Sequence, residues 1–226
     1  MFLLTVTAIF ISAGALAHGG GIDSFGCHRD RSADEYHCHQ GDYAGHRLSS
    51  RADALRIFGG RKESSDSNLN TLAYDRDPYG GWIDADGDCQ DTREEVLIAQ
   101  AVEYRLDASG CHVVSGVWVG PYTGKRITDP GDLHIDHVVS LKEAHSSGAA
   151  AWGAAQRQEF ANDFDNLLAV DASENLSKGS GGPEDWLPDV GRCAFIDLWI
   201  SVKSRWNLDV DARELAMLEH LAIDCD

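Results

Sequence analysis

The segment His134-Ile135-Asp136-His137-Val138-Val139 sets a carboxylate directly beside an imidazole. A carboxylate suits a hard divalent cation such as Mg2+ or Mn2+. A neutral imidazole, with an ordinary pKa near ~6.5, takes a proton from water at neutral pH. Three further segments follow in order: DNLLAV at 165–170, ENLSKG at 174–179 and PEDW at 183–186. A strand, a crossing, a second strand and a returning helix would bring an asparagine back as a second oxygen ligand opposite the first. Each residue also has a plainer role. A buried Asp–His pair can be a structural hydrogen bond. Asn166 either serves the site or satisfies turn backbone. Asn175 either ligates a cation or caps a helix. His134 shares a strand face with Asp136, and is either a third ligand or a structural or substrate-facing side chain. Arg93 either binds a substrate phosphate or pairs with one of many acids.

The elements that must position these residues are read from periodicity and punctuation. Thr92–Arg105 has helical apolar spacing, with Asp91 as its N-cap. His112–Val119 and Tyr122–Ile127 read as strands joined by a turn at Gly120-Pro121. His134–Leu141 is a third strand, Ala150–Phe160 a helix, Asn166–Val170 a short buried strand and Ala172–Ser177 a helix turn. Phe195–Trp206 and Val210–Ile223 close the chain as helices, with Leu215, Leu218 and Ala222 on one face. The fold class is α+β.

The chain has 226 residues, 43% hydrophobic and 25% charged, the balance of a folded soluble protein. Residues 2–17 are almost wholly apolar and end in Ala15-Leu16-Ala17, which predicts a signal peptide over residues 1–17. The missing basic n-region leaves a retained anchor or a misplaced start open. Export implies a secreted, extracellular or periplasmic protein with no membrane association after cleavage. Residues 18–46 are a small Gly/His/Cys-rich module, 47–73 a linker with one short helix around Ala52–Phe58, and 74–226 the main domain. Cysteines fall within local segments as Cys27–Cys38, Cys89–Cys111 and Cys193–Cys225, which predicts three disulfides. Cysteine-ligated zinc is the rival, and no C-x2-C pair supports it. Net charge is −18, with residues 18–62 near neutral and residues 63–226 strongly acidic. Such a chain is not a general electrostatic trap for DNA or anionic membranes.

The ordered segments WIDADGDCQDTREEVL, GVWVGPYTGK, HIDHVVSLKEAHSSGA, AWGAAQRQEFANDFDNLLAV and NLSKGSGGPEDWLP span roughly residues 74 to 190. In these the chain resembles the HNH endonucleases, also called ββα-metal or His-Me finger nucleases. It is most similar to the branch related to the C-terminal part of GmrSD restriction enzymes. The resemblance implies a ββα-metal core with additional helices. It implies that Asp136 and Asn175 hold Mg2+ or Mn2+, and that His137 is the general base. Asn166 would orient His137 or shape the loop, and Lys178 would sit near the phosphate or the leaving oxygen. Arg93, Lys125 and His134 would face substrate. The asparagine at 175, where other HNH enzymes have a histidine, favours a hard metal over zinc. The implied activity is hydrolysis of DNA with little sequence preference by a monomer, and RNA fits the same chemistry. The rival is an extracellular metal-binding or adhesion protein whose nuclease-like domain is inactive.

Two weaker metal signals stand apart. Asp84, Asp86, Asp88 and Glu95 echo a Ca2+ loop, although Cys89 occupies the position that demands glycine. The N-terminal stretch around Tyr36-His37-Cys38-His39 resembles the small YHYH-type modules of exported bacterial proteins. There His28, His37 and His39 either share a second, borderline metal such as Zn2+ or belong to a plain disulfide knot.

Overall fold

A computed structural model describes residues 22, 25–30, 35–40, 43–59 and 73–225. The expected signal peptide, residues 1–17, lies outside the described residues. No helix among the described residues is long and apolar enough to cross a membrane.

Helices and small antiparallel sheets mix along the chain, an α+β architecture. Strands β1 (Cys27–Asp30), β2 (Glu35–Cys38) and β3 (Arg47–Leu48) form the first sheet in that order. Cys27 lies opposite Cys38 in the register and is joined to it. Ser50 caps the short helix α1 (Arg51–Ala54), which runs on into a π-helical turn at Leu55–Gly59. Composition marks residues 47–73 as linker, yet residues 47–59 fold back onto the domain. Ala54 and Leu55 are buried, Arg51 pairs with Asp197, and Arg56 reaches Glu219 at 3.1 Å. These partners lie in the last two helices, far along the chain, so local composition carries no trace of them.

The main domain begins with α2 (Thr92–Gln100), where the Asp91 carboxylate accepts from the Glu94 amide at 3.1 Å. This helix stops at Gln100 rather than Arg105. Val102 donates its amide to Val117, and residues Glu103–Leu106 become strand β4, paired with β5 (Val113–Val119). Glu103, Tyr104 and Arg105 are exposed, so their spacing holds no core information that separates helix from strand. The expected strand Tyr122–Ile127 shrinks to β6 (Arg126–Ile127), because residues 121–123 turn to carry Tyr122 into the interior.

Strand β7 (Leu133–His137) pairs antiparallel with β8 (Leu167–Asp171), His134 opposite Val170 and Asp136 opposite Leu168. Between them lie α3 (Leu141–Ser146) and α4 (Ala154–Ala161). The expected strand 134–141 therefore ends at His137, and Ser140 caps α3 instead. The expected helix from Ala150 is broken by Trp152 and Gly153 into a 3-10 turn and α4. Helix α5 (Ala172–Lys178) follows β8 without a loop. Helices α6 (Arg192–Arg205) and α7 (Ala212–Asp224) close the fold, linked by Cys193–Cys225.

Two apolar clusters grip the β7–β8 pair. Val96, Leu97, Trp118, Leu133, Leu167 and Ala169 form the smaller one. Val138, Val139, Val170, Phe195, Trp199 and Leu218 belong to the larger, which also takes in Phe25, Tyr36 and Ala54 from the N-terminal region. Burying one such side chain contributes roughly 1.5–3 kcal/mol. The strand pair is thus held from both sides while its His137 end stays at the surface of a cavity.

Candidate active site

A cavity of about 560 Å3 opens at the β7–β8–α5 unit and is lined by His134, Asp136, His137 and Asn175. Asp136 is buried, and each carboxylate oxygen has one protein donor. Tyr122 donates its hydroxyl to Oδ2 at 2.6 Å, and Lys178 donates from Nζ to Oδ1 at 2.9 Å. Burial pushes the Asp136 carboxyl up, against the pull of Lys178 and Tyr122. Burial and the neighbouring Asp136 hold the Tyr122 hydroxyl well above its usual range, so it stays a donor. A carboxylate has about four lone-pair sites, and two remain after these bonds.

His137 donates from Nε2 to the Ala161 carbonyl at 2.8 Å. A carbonyl only accepts, so the proton sits on Nε2 and Nδ1 is the ring's acceptor. Trp82 stacks on the ring, 5.5 Å between centroids and 12° between planes. Burial lowers the imidazole pKa to about 4, with Arg76 and Lys178 adding to the shift. The ring is therefore neutral across the physiological range, in one tautomer and one orientation.

Asn166 is fully buried and acts on the backbone. Its Oδ1 accepts from the Val139 amide at 2.8 Å, its Nδ2 donates to the Val139 carbonyl at 3.1 Å, and its own carbonyl accepts from Val138 at 2.9 Å. These bonds all go to the backbone just after His137. Lys178 departs from expectation. It is buried, also donates to the His137 carbonyl at 2.9 Å, and does not line the cavity. A lysine with two buried acceptors is an anchor for Asp136 rather than a free cation for a phosphate.

Asn175 donates from Nδ2 to His134 Nδ1 at 3.3 Å, so these two share the cavity wall with Asp136. A carboxylate and an amide oxygen with an imidazole alongside fit a hard divalent ion, which keeps several waters and needs few protein donors. Arg93 also lines the cavity, steadied by the carbonyls of Pro130 and Leu133. Lys125 is exposed on the turn before β6 and is not among the lining residues. Sequence reading missed Arg76 and Lys142, which bring positive charge to the wall, and Tyr122 and Trp82, which fix Asp136 and His137. GVWVGPYTGK held the one signal for Tyr122, an aromatic beside a Gly-Pro turn.

Two other clusters lie outside this cavity. Asp84, Asp86 and Asp88 gather in an exposed loop next to Cys89, which is bonded to Cys111. Their carboxylates accept from the amides of Gly87, Asp88, Cys89 and Gln90, as in a solvated turn. His28, His37 and His39 converge in the N-terminal sheet.

Residues 91–220 match the family of GmrSD restriction endonucleases, C-terminal domain. The match covers more than half of the chain, and the chain belongs to this nuclease family. A protein of Arthroderma benhamiae named "Uncharacterized secreted protein" is 42% identical over 156 residues, 67% of this chain and 76% of that relative. No solved structure matches.

Proposed function

We propose that this protein is a secreted endonuclease of the HNH, ββα-metal type. It hydrolyses DNA phosphodiester bonds with little sequence preference, using Mg2+ or Mn2+. The observation that carries this reading is the β7–β8–α5 unit, with Asp136, His137 and Asn175 on the wall of one cavity that also presents Arg76, Arg93 and Lys142. Membership of a nuclease family supports the chemistry. Three disulfides and a relative named as secreted support the compartment.

Asp136 and Asn175 would hold the cation, with His134 beside them. The ion would neutralise negative charge on the phosphate and on the leaving 3′-oxygen. His137 takes a proton from the attacking water at Nδ1, since Nε2–H is committed to Ala161. Tyr122 and Lys178 fix the Asp136 carboxylate, and Asn166 fixes the bend that sets the angle of His137. Arg76, Arg93 and Lys142 bind the flanking phosphates. The product carries a 5′-phosphate.

Nicking of supercoiled plasmid, with Mg2+ and with EDTA, tests the reading. Cleavage should require the divalent ion and vanish in His137→Ala. Full activity in that variant, or activity in EDTA, removes the assignment. Single-stranded DNA and RNA in the same assay establish the preferred substrate. The competing reading, an inactive nuclease-like domain on a metal-binding protein, is favoured by the histidine cluster and the net charge of −18, and it predicts no cleavage under any of these conditions.

A further inference from the structure

Three imidazoles meet edge to edge in the N-terminal sheet. His28 Nε2 lies 3.2 Å from His37 Nε2 and 3.1 Å from His39 Nε2. Hydrogen bonding alone does not account for this. A ring nitrogen carries either one proton or one lone pair, so His28 Nε2 can make only one good bond of the two. The other contact is then at best a weak, off-axis share of the same single proton or lone pair. A cation at the centre removes the conflict by taking all three lone pairs. The spacing also agrees, because a tetrahedral ion with bonds of about 2.0–2.1 Å keeps its donors about 3.3 Å apart.

The rings are held in place by the backbone. His28 and His37 are directly opposed in the register, one position from the bonded Cys27–Cys38 pair. His39 is tied back through its amide to the Gly26 carbonyl at 2.8 Å. Gly26 permits that approach: its φ is +73°, and a Cβ there would sit 2.3 Å from the Gln40 carbonyl oxygen. The outer nitrogen of His37 supplies a second, independent observation. Nδ1 is buried without a hydrogen-bond partner, yet it faces the Glu35 carboxylate at 3.6 Å. A ligating histidine commonly points its other N–H at a carboxylate, and Glu35 is itself steadied by Arg47.

We infer that His28, His37 and His39 form a three-histidine site for a borderline divalent cation such as Zn2+, with no fourth protein ligand among the described residues. His28 and His37 are buried and His39 is exposed, so the open side is the His39 side. Three protein ligands and one free position are the pattern of a site that binds an incoming donor, not of a closed structural zinc. The site stands apart from the Asp136 cavity and does not depend on the nuclease reading.

The test is titration of the EDTA-stripped, full-length secreted chain with Co2+ and then Zn2+. One equivalent of Co2+ should give the intense visible absorption of a tetrahedral complex, and Zn2+ should displace it. His39→Gln should abolish the signal, Asp136→Asn should keep it, and Glu35→Gln should weaken binding by roughly 10–100-fold. X-ray absorption of the zinc-loaded wild type reads the ligands without any variant and should show an imidazole-rich shell of four light atoms. A pale octahedral cobalt spectrum, a signal unchanged in His39→Gln, or a shell of six oxygens would overturn the inference.

Discussion

Asp136 owes its position to two groups that do not line the cavity. Its carboxylate sits between a tyrosine hydroxyl and a lysine ammonium, both buried. Removing one partner of a buried ion pair typically costs 3–5 kcal/mol, because the other charge is left uncompensated. Lys178→Met should therefore lower stability by about that much in EDTA. Mg2+ should restore a large part of it, since an ion on Asp136 replaces the missing charge. Thermal melts of both proteins with and without Mg2+ check this, and an equal Mg2+ shift in wild type and variant would contradict it. Asn166 is the second such residue. Asn166→Ala strands the amide and carbonyl of Val139, at roughly 1–3 kcal/mol for each buried group left unpaired. Urea denaturation should show a loss of about 2–5 kcal/mol, with a drop in the cleavage rate of the fraction that remains folded. Loss of activity at unchanged stability would mean that the amide acts on the reacting atoms, not on the bend.

At the scale of elements, the last two helices carry their own titration. Lys203 of α6 reaches Glu143 of α3 at 2.6 Å and Glu214 of α7 at 3.0 Å, and Trp199 donates to Glu214 at 2.5 Å. Burial raises the Glu214 carboxyl to about 7, in spite of Lys203 and Trp199. The folded state then keeps a proton that the unfolded chain releases above its ordinary carboxylate pKa. Stability from this group is fully present below about pH 4.5 and declines as pH rises through 7, by on the order of 3 kcal/mol. Glu214→Gln should flatten that decline, and melts of both proteins at pH 5 and pH 8 measure it. An identical pH slope in the two proteins would remove Glu214 as the source. These helices were legible in the sequence because their apolar spacing repeats over several turns. So were β7 and β8, whose apolar residues face packed layers. Strand β4 was not, because its residues are exposed and only pairing with β5 makes it a strand. Tyr122, Arg76 and Lys142 were not, because nothing local says that a loop and a helix end meet at one wall, or that a turn carries Tyr122 inward to Asp136. The role of Lys178 misled for a related reason: a lysine next to a candidate ligand reads as a phosphate binder until burial shows that its ammonium is already occupied.

For the molecule as a whole, the proposed function sets an acidic protein on an acidic substrate. On the proposed function, the net charge of −18 would repel DNA at a distance, while Arg76, Arg93 and Lys142 on the cavity wall would attract it. Repulsion from dispersed surface acids is long-ranged and falls away over a Debye length of about 8 Å at physiological ionic strength. Contacts to phosphate are short-ranged and release counterions from the nucleic acid. Each phosphate neutralised contributes about −0.9 to the slope of log affinity against log salt on duplex DNA. Three cations set a limit near −3, far shallower than that of a protein making ten such contacts. Arg76→Ala combined with Lys142→Ala should make the slope less negative by about 2 and raise KM at least tenfold. The turnover number should fall much less, because Asp136, His137 and Asn175 are left in place. Binding to a catalytically silent His137→Ala background, measured by fluorescence anisotropy across a salt series, isolates this effect. If the double variant keeps the full slope, the phosphate contacts are made elsewhere, and the arginines of the N-terminal segment become the next surface to neutralise.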